Sequence, residues 1–304
     1  MKPANKIIAS LLLLVPLLLP LRLAAFGLGD LQNLDLNKLK GQIATGTSIF
    51  TSMRKGVSDL TPEEEYYIGR SVSARILNDY PPLPHSAIAD YINQMGHYLA
   101  QFSERPETFA GYRFQLVDSD EINAFAAPGG NIMISRGLYQ ALTSEEQLAA
   151  ILAHEIAHVS LQHGLNAIKK ANLTQAFTLI GETALKESGR GDKLAQINEL
   201  TSIFSTSIDD IVSQLVVNGY SRSQELEADQ QALILCYRAG YSPQGLAEFL
   251  ATLEQGSSQQ AGGGFYATHP AAADRLTEVN ATLQQWSAIP DSAPRTARFQ
   301  KHRL

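Results

Sequence analysis

Cysteine is nearly absent: Cys236 is the single one among 304 residues. One thiol excludes an internal disulfide and any structural zinc site built on several cysteines. It lies in the apolar stretch Ala232, Leu233, Leu235, Cys236, where a packed thiol is the expected role. Clustered positive charge is missing too. The formal net charge is −6, and the first 25 residues hold Lys2, Lys6 and Arg22 but no acid. Beyond them 21 basic residues face 30 acidic ones, a net −9. Phosphate contacts need concentrated Lys and Arg, so no nucleic-acid partner is expected. Long apolar runs are scarce: Ile7 to Leu21 falls short of the roughly 20 residues that span a bilayer, and Pro16 and Pro20 interrupt it.

That run has two lysines before it and the small pair Ala24-Ala25 after it, the layout of a secretory signal peptide. The expectation is a cleavable signal over 1–25, with an uncleaved anchor as the alternative, on a protein exported from the cytoplasm. No cysteine directly follows the run, which excludes a lipoprotein. Residues 26–60, weakly patterned and then rich in Gly, Thr and Ser, read as a flexible lead-in. Residues 61–286 read as the main domain and 287–304 as a polar tail, with no internal repeat.

Inside the main domain, Thr61-Pro62-Glu63-Glu64 offers a cap, a first-turn proline and a capping-box acid, so a helix should run to about Asn78. The prolines at 81, 82 and 84 stop it. A second helix fits Ser86 to Phe102. Three short strands follow at Tyr112–Val117, Ala124–Ala126 and Ile132–Ser135, the last two joined by a turn at Pro128-Gly129-Gly130-Asn131. After a helical piece at 138–142, Ser144 and Gln147 should cap a helix reaching about Gln162. Residues 165–187 and 194–217 read as two more helices. Ser223 should open a helix that Gly240 ends, Ser242-Pro243 starts another, 255–264 is a Gly-rich loop, and Pro270 begins a helix through about Trp286. The outcome is a helix-rich α+β domain with one small β-sheet.

The chemistry concentrates in His154-Glu155-Ile156-Ala157-His158. Residues four apart on a helix share a face, with Cβ atoms about 5–6 Å apart, so both imidazoles can bind one zinc. Glu155 between them can reach a metal-bound water. Composition alone would produce this pattern roughly 0.01 times in a chain of this length, so coincidence is a poor account. A solvated helix face is a poor account as well, because Leu148 to Ala153 and Ile156, Ala157 and Val159 are apolar. Buried imidazoles and carboxylates need partners. A catalytic zinc takes three protein ligands and keeps one position open. The third can come from Ser221-Arg222-Ser223-Gln224-Glu225-Leu226-Glu227-Ala228-Asp229, where Glu225 and Asp229 share a helix face. Glu225 can ligate, and Asp229 can orient a ligand histidine through its far nitrogen.

Together, His-Glu-Ile-Ala-His at 154–158 and Ser-Arg-x-x-Glu-x-x-Ala-Asp at 221–229 resemble the HtpX and CAAX prenyl protease family of zinc metallopeptidases, within the gluzincins. Asn123-Ala124-Phe125-Ala126 before Pro128-Gly129-Gly130, and Thr268-His269-Pro270 with Arg275, resemble two further motifs of that family. The four blocks stand in the family's order over about residues 61–286. The resemblance implies a zincin-like metallopeptidase fold and one zinc per chain held by His154, His158 and Glu225. It implies Asp229 as the partner of His154, and His269 facing the metal. It makes Asn123, Ala124 and Phe125 an edge strand that lines the substrate cleft. Family members with several membrane helices differ from this chain, which is closer to an exported, periplasmic bacterial branch. Some members of that branch carry tetratricopeptide repeats, and none is legible here.

The mechanism expected from these residues is peptide hydrolysis by a zinc-bound water, with Glu155 as general base. His269, or failing that Arg222, would steady the oxyanion. His269 could instead fill the fourth zinc position and keep the enzyme quiet. His85, His97, His163 and His302 show no partner pattern and read as structural or solvent-facing. Substrates would be extended or misfolded envelope proteins, with association to envelope membrane proteins as a further expectation. The rivals are an exopeptidase and a zinc-binding, chaperone-like protein on the same fold.

Overall fold

The computed structural model describes residues 61–84, 86–167, 205–206, 208–256, 264–287, 289–290 and 292–304. Nearly all of them belong to one compact unit formed by residues 65–168 and 208–304. The apolar run at 7–21, the lead-in at 26–60 and most of the two helices expected between 165 and 217 lie outside the described residues. Among the described residues, no helix is long and apolar enough to cross a membrane.

Helix α1 (Pro62–Asp79) begins on the expected proline and ends before Pro81. Helix α2 (Ala87–Ala100) starts where Ser86 accepts a hydrogen bond from the Ala89 amide. It buries Tyr91, Ile92, Met95 and Leu99, a spacing of three and four that makes one apolar stripe.

The sheet has the order β1-β3-β2, from β1 (Arg113–Val117), β2 (Ala124–Ala127) and β3 (Asn131–Ser135). Strand β1 runs parallel to β3, and β2 pairs antiparallel with it from Ala124↔Ile134 to Ala127↔Asn131. The reversal between β2 and β3 is a tight turn at Pro128–Gly130. Gly129 there has φ 75°, and a Cβ on it would stand 2.8 Å from the Tyr66 Cα, so both conformation and space demand glycine.

Helix α3 (Arg136–Ala141) leads into α4 (Glu145–Ser160), whose cap is Ser144 accepting from the Gln147 amide. Every residue from Glu145 to Val159 is buried. A helix apolar nearly all round is a core helix, and α4 packs against α2, β2, α5 (Arg222–Arg238) and α6 (Gln244–Gly256). Helix α5 opens at Ser221, two residues before the expected Ser223. There Ser221 and Gln224 form a reciprocal capping box. The chain reaches it through a wide turn at Gln214–Asn218 and Gly219, whose φ of 71° and missing Cβ let it press on the Ala267 and Thr268 carbonyls.

A single helical turn, α7 (Phe265–Thr268), precedes His269, and α8 (Ala272–Leu283) follows after Ala271 in the left-handed region. Within the stretch read as a polar tail, residues Ala293–Lys301 form a helix, α9, with Phe299 buried. Arg298 Nε donates to Glu145 Oε2 at 2.8 Å, and Arg295 Nη1 to Glu146 Oε1 at 2.9 Å. Both carboxylates lie in the first turn of α4, where the helix dipole also favours negative charge.

Candidate metal centre

Helix α4 presents His154, Glu155 and His158 from its buried middle, and the first turns of α5 present Glu225 and Asp229 across from it. His154 Nε2 and His158 Nε2 lie 3.0 Å apart. Glu225 Oε2 is 3.5 Å from His154 Nε2, and Oε1 is 3.4 Å from His158 Nε2. His269 adds Nδ1, 3.3 Å from His154 Nε2 and 3.1 Å from Glu225 Oε1. Four atoms around one tetrahedral ion, each bonded at ~2.0–2.1 Å, would stand ~3.3 Å from one another. His154, His158, Glu225 and His269 therefore fit a tetrahedral divalent cation in both spacing and donor chemistry.

The surroundings fit as well. Asp229 Oδ1 lies 2.9 Å from His154 Nδ1, where it can hold that ring with its proton on Nδ1. Arg275, buried, donates from Nε and Nη2 to the two Asp229 oxygens at 2.7 Å, and its Nη1 stands 2.6 Å from Glu225 Oε2. Three buried carboxylates (Glu155, Glu225 and Asp229) against one guanidinium leave two negative charges, which a divalent cation would balance.

The charges shape each acidity. Burial alone would raise Glu225, but Arg275 and then His269 hold it well below the usual carboxylate range. Asp229 is lowered in the same way, burial being outweighed by Arg275 and His154. Burial pushes the Glu155 carboxyl up. Both Glu155 oxygens lack a hydrogen-bond partner among the described residues, and His269 Nε2 stands 3.6 Å from Oε1. A buried carboxylate without a partner is costly, so the position is set for a guest such as water. Burial lowers His158 well below its ordinary value. Burial also disfavours protonated His154, but Asp229 and Glu225 outweigh it and carry the group up to about 9.

Not every residue singled out from the sequence converges here. Arg222 points outward, its side chain 61% exposed and paired with Asp274 at 3.4 Å. It sits three residues before Glu225, on the same side of α5, but its side chain leads out to Asp274 and solvent, and Arg275 is the guanidinium that meets the cluster. Asn123, Ala124 and Phe125 are buried, with Ala124 and Phe125 in the edge strand β2. Asn123 Oδ1 accepts from Thr268 Oγ1 at 2.9 Å, which ties that strand to the segment carrying His269.

Two further residues touch the cluster: His163, read from the sequence as structural or solvent-facing, and Tyr220, which the sequence reading missed. His163 is buried, with Nδ1 2.9 Å from His158 Nδ1. Tyr220 stacks its ring on His158 at 3.9 Å, and burial raises its hydroxyl well above the ordinary value. The available signals were a third histidine five residues past His158 and an aromatic beside the Ser221 cap. His97 bonds the Asn93 carbonyl and His302 stacks on Tyr91, both away from the cluster, while His85 lies outside the described residues.

Residues 86–283 match the sequence pattern of peptidase family M48, about two thirds of the chain. The chain is 28% identical over 241 residues to the beta-barrel assembly-enhancing protease of Yersinia pestis, covering 79% of this chain and 47% of that one. It is 29% identical over 169 residues to the Escherichia coli metalloprotease LoiP, covering 55% and 60%. With the mitochondrial metalloendopeptidase OMA1 of Bos taurus it shares 28% over 173 residues, covering 56% and 32%. The chain thus spans about half the length of the beta-barrel assembly-enhancing proteases it matches.

Proposed function

The chain belongs to peptidase family M48, and from that premise we propose that it is a zinc-dependent endopeptidase, with His154, His158 and Glu225 as ligands and Glu155 as general base. The observation that carries this reading is the facing of two Nε2 atoms and the Glu225 carboxylate at 3.0–3.5 Å, beside a Glu155 whose oxygens have no hydrogen-bond partner among the described residues. When bound, zinc supplies a Lewis acid that polarises a peptide carbonyl and makes water acidic near neutral pH.

The chain's own residues do the rest. Asp229 keeps the His154 proton on Nδ1 and so leaves Nε2 bare for a ligand bond. Arg275 keeps Glu225 ionised. Glu155 takes a proton from water on one carboxylate oxygen and passes it to the departing amide nitrogen. Its raised pKa suits both halves of that exchange. A substrate strand would pair along the free edge of β2, reading backbone more than side chains, which favours extended or unfolded proteins. The name of its relatives, beta-barrel assembly-enhancing protease, supports misfolded envelope proteins as the substrate class, and the apolar run at 7–21 supports export to the periplasm.

His269 fits a plug better than an oxyanion donor in this arrangement. Its Nδ1 stands where the fourth ligand of a tetrahedral ion would be, and its Nε2 lies toward Glu155, so a substrate carbonyl could enter only once the ring moves. Arg222, exposed and paired elsewhere, has no part in the reading.

The deciding experiment is Glu155→Gln in purified protein. Cleavage of an unfolded protein should fall by ~10²–10⁴-fold while zinc content stays at one per chain. Undiminished cleavage would dispose of the general base, and mapping the cut sites in wild-type digests separates internal from terminal hydrolysis.

A further inference from the structure

Helix α4 ends at Ser160, and Gln162 then takes φ 58°, a left-handed conformation that few non-glycine residues adopt. Its side-chain amide donates to Glu65 Oε2 at 3.1 Å, which holds the turn. The result is that His163 folds back beneath His158, only 2% exposed, with the two Nδ1 atoms 2.9 Å apart. His163 Nε2 points the other way and lies 3.4 Å from Glu227 Oε2 on α5, a carboxylate 63% exposed.

With a metal held by the cluster, proton placement along this line follows from the ring geometry. A histidine that ligates through Nε2 carries its proton on Nδ1. His158 turns Nε2 toward His154 and Glu225, so its proton sits on Nδ1. Two ring nitrogens at 2.9 Å cannot both bear hydrogen without repulsion or both be bare without loss of the bond. His163 Nδ1 is therefore the acceptor, and the His163 proton sits on Nε2, facing Glu227.

We propose that His163 is a positioning residue for the metal centre, fixing the tautomer and ring orientation of His158 through a chain that ends on Glu227. The inference rests on the metal reading above. It gives the two ligand histidines different supports. His154 is backed directly by the anion Asp229, and His158 by a neutral imidazole whose far nitrogen reaches a carboxylate at the surface.

The test uses the full chain stripped of metal, titrated with zinc against a chromophoric chelator and with cobalt(II) followed by its visible spectrum. His163→Phe keeps a buried ring but removes the acceptor. It should weaken zinc ~10–100-fold and alter the cobalt bands. His163→Asn returns an oxygen that can accept from His158 and should recover most of the affinity. Glu227→Ala, on an exposed side chain, should cost a few-fold. Wild-type affinity in His163→Phe, or a His163→Asn as weak as His163→Phe, would overturn the proposal. If His163→Phe fails to fold, Glu227→Ala decides, with unchanged affinity and spectrum counting against the chain. A wild-type protein that takes up no zinc would instead refute the metal reading itself.

Discussion

His269 holds Nδ1 3.1 Å from Glu225 Oε1, so an imidazole from outside helices α4 and α5 closes a ring of four atoms that could hold a metal. The segment bearing it is pinned at several points. The Phe265 amide donates to the Ile122 carbonyl at 2.6 Å, Thr268 Oγ1 to Asn123 Oδ1, and the Tyr220 amide to the Thr268 carbonyl at 3.1 Å. Strand β2, the wide turn before α5 and the His269 segment therefore meet beside the cluster.

His269→Ala is expected to raise basal peptide cleavage several-fold while zinc remains bound by the other three residues, which are enough for a catalytic site. Turnover of a fluorogenic peptide together with zinc content checks it. A fall in turnover with zinc retained would move His269 to oxyanion stabilisation.

Arg275→Met should be among the most damaging single changes. It leaves Asp229 and Glu225 buried without their shared cation, and breaking a buried pair costs about 3–5 kcal/mol. Thermal unfolding of the metal-free protein reads this, and added zinc should recover part of the loss by restoring positive charge.

Metal-free protein should lose stability as pH rises from neutral. His154 has its pKa raised from 6.5 to about 9 in the fold, where Asp229 and Glu225 outweigh burial. Its contribution is complete below pH 6.5 and is lost as pH climbs through about 9. The melting temperature should drop over that window without zinc. Zinc uptake near pH 7.5 should release a proton, visible with an indicator dye. A flat melting profile would remove this assignment.

Glu65→Ala probes the support of the His163 turn. Glu65 accepts from Arg105 Nη2 at 2.8 Å, the Gly129 amide at 3.0 Å and Gln162 Nε2 at 3.1 Å. Loss of bonds to a charged group should cost roughly 1.5–3 kcal/mol, measured by denaturant unfolding.

The elements carrying the candidate metal ligands were legible because their signals are local. Ser144 and Gln147, an apolar α4 and the four-residue spacing of the histidines each act within one or two turns of helix. Glu225 and Asp229 were readable in the same way on α5. His163 was not, because its place depends on the left-handed Gln162, where no glycine marks the turn. Tyr220 depends on Gly219 pressing against the Ala267 and Thr268 carbonyls, a contact between distant stretches of chain. Arg222 looked available because composition does not reveal which way the first residue of a helix turns. Helix α9 hid behind its polarity, since one buried phenylalanine and two arginines aimed at α4 are too few to make an apolar period.

Those two arginines tie the start of the helix that bears His154 and His158 to helix α9, with Arg295 and Arg298 reaching Glu146 and Glu145 across sequence separations of 149 and 153 residues. Contacts so distant along the chain must first meet the entropy of closing the intervening loop, so this end of the helix is expected to take its final pairing late in folding.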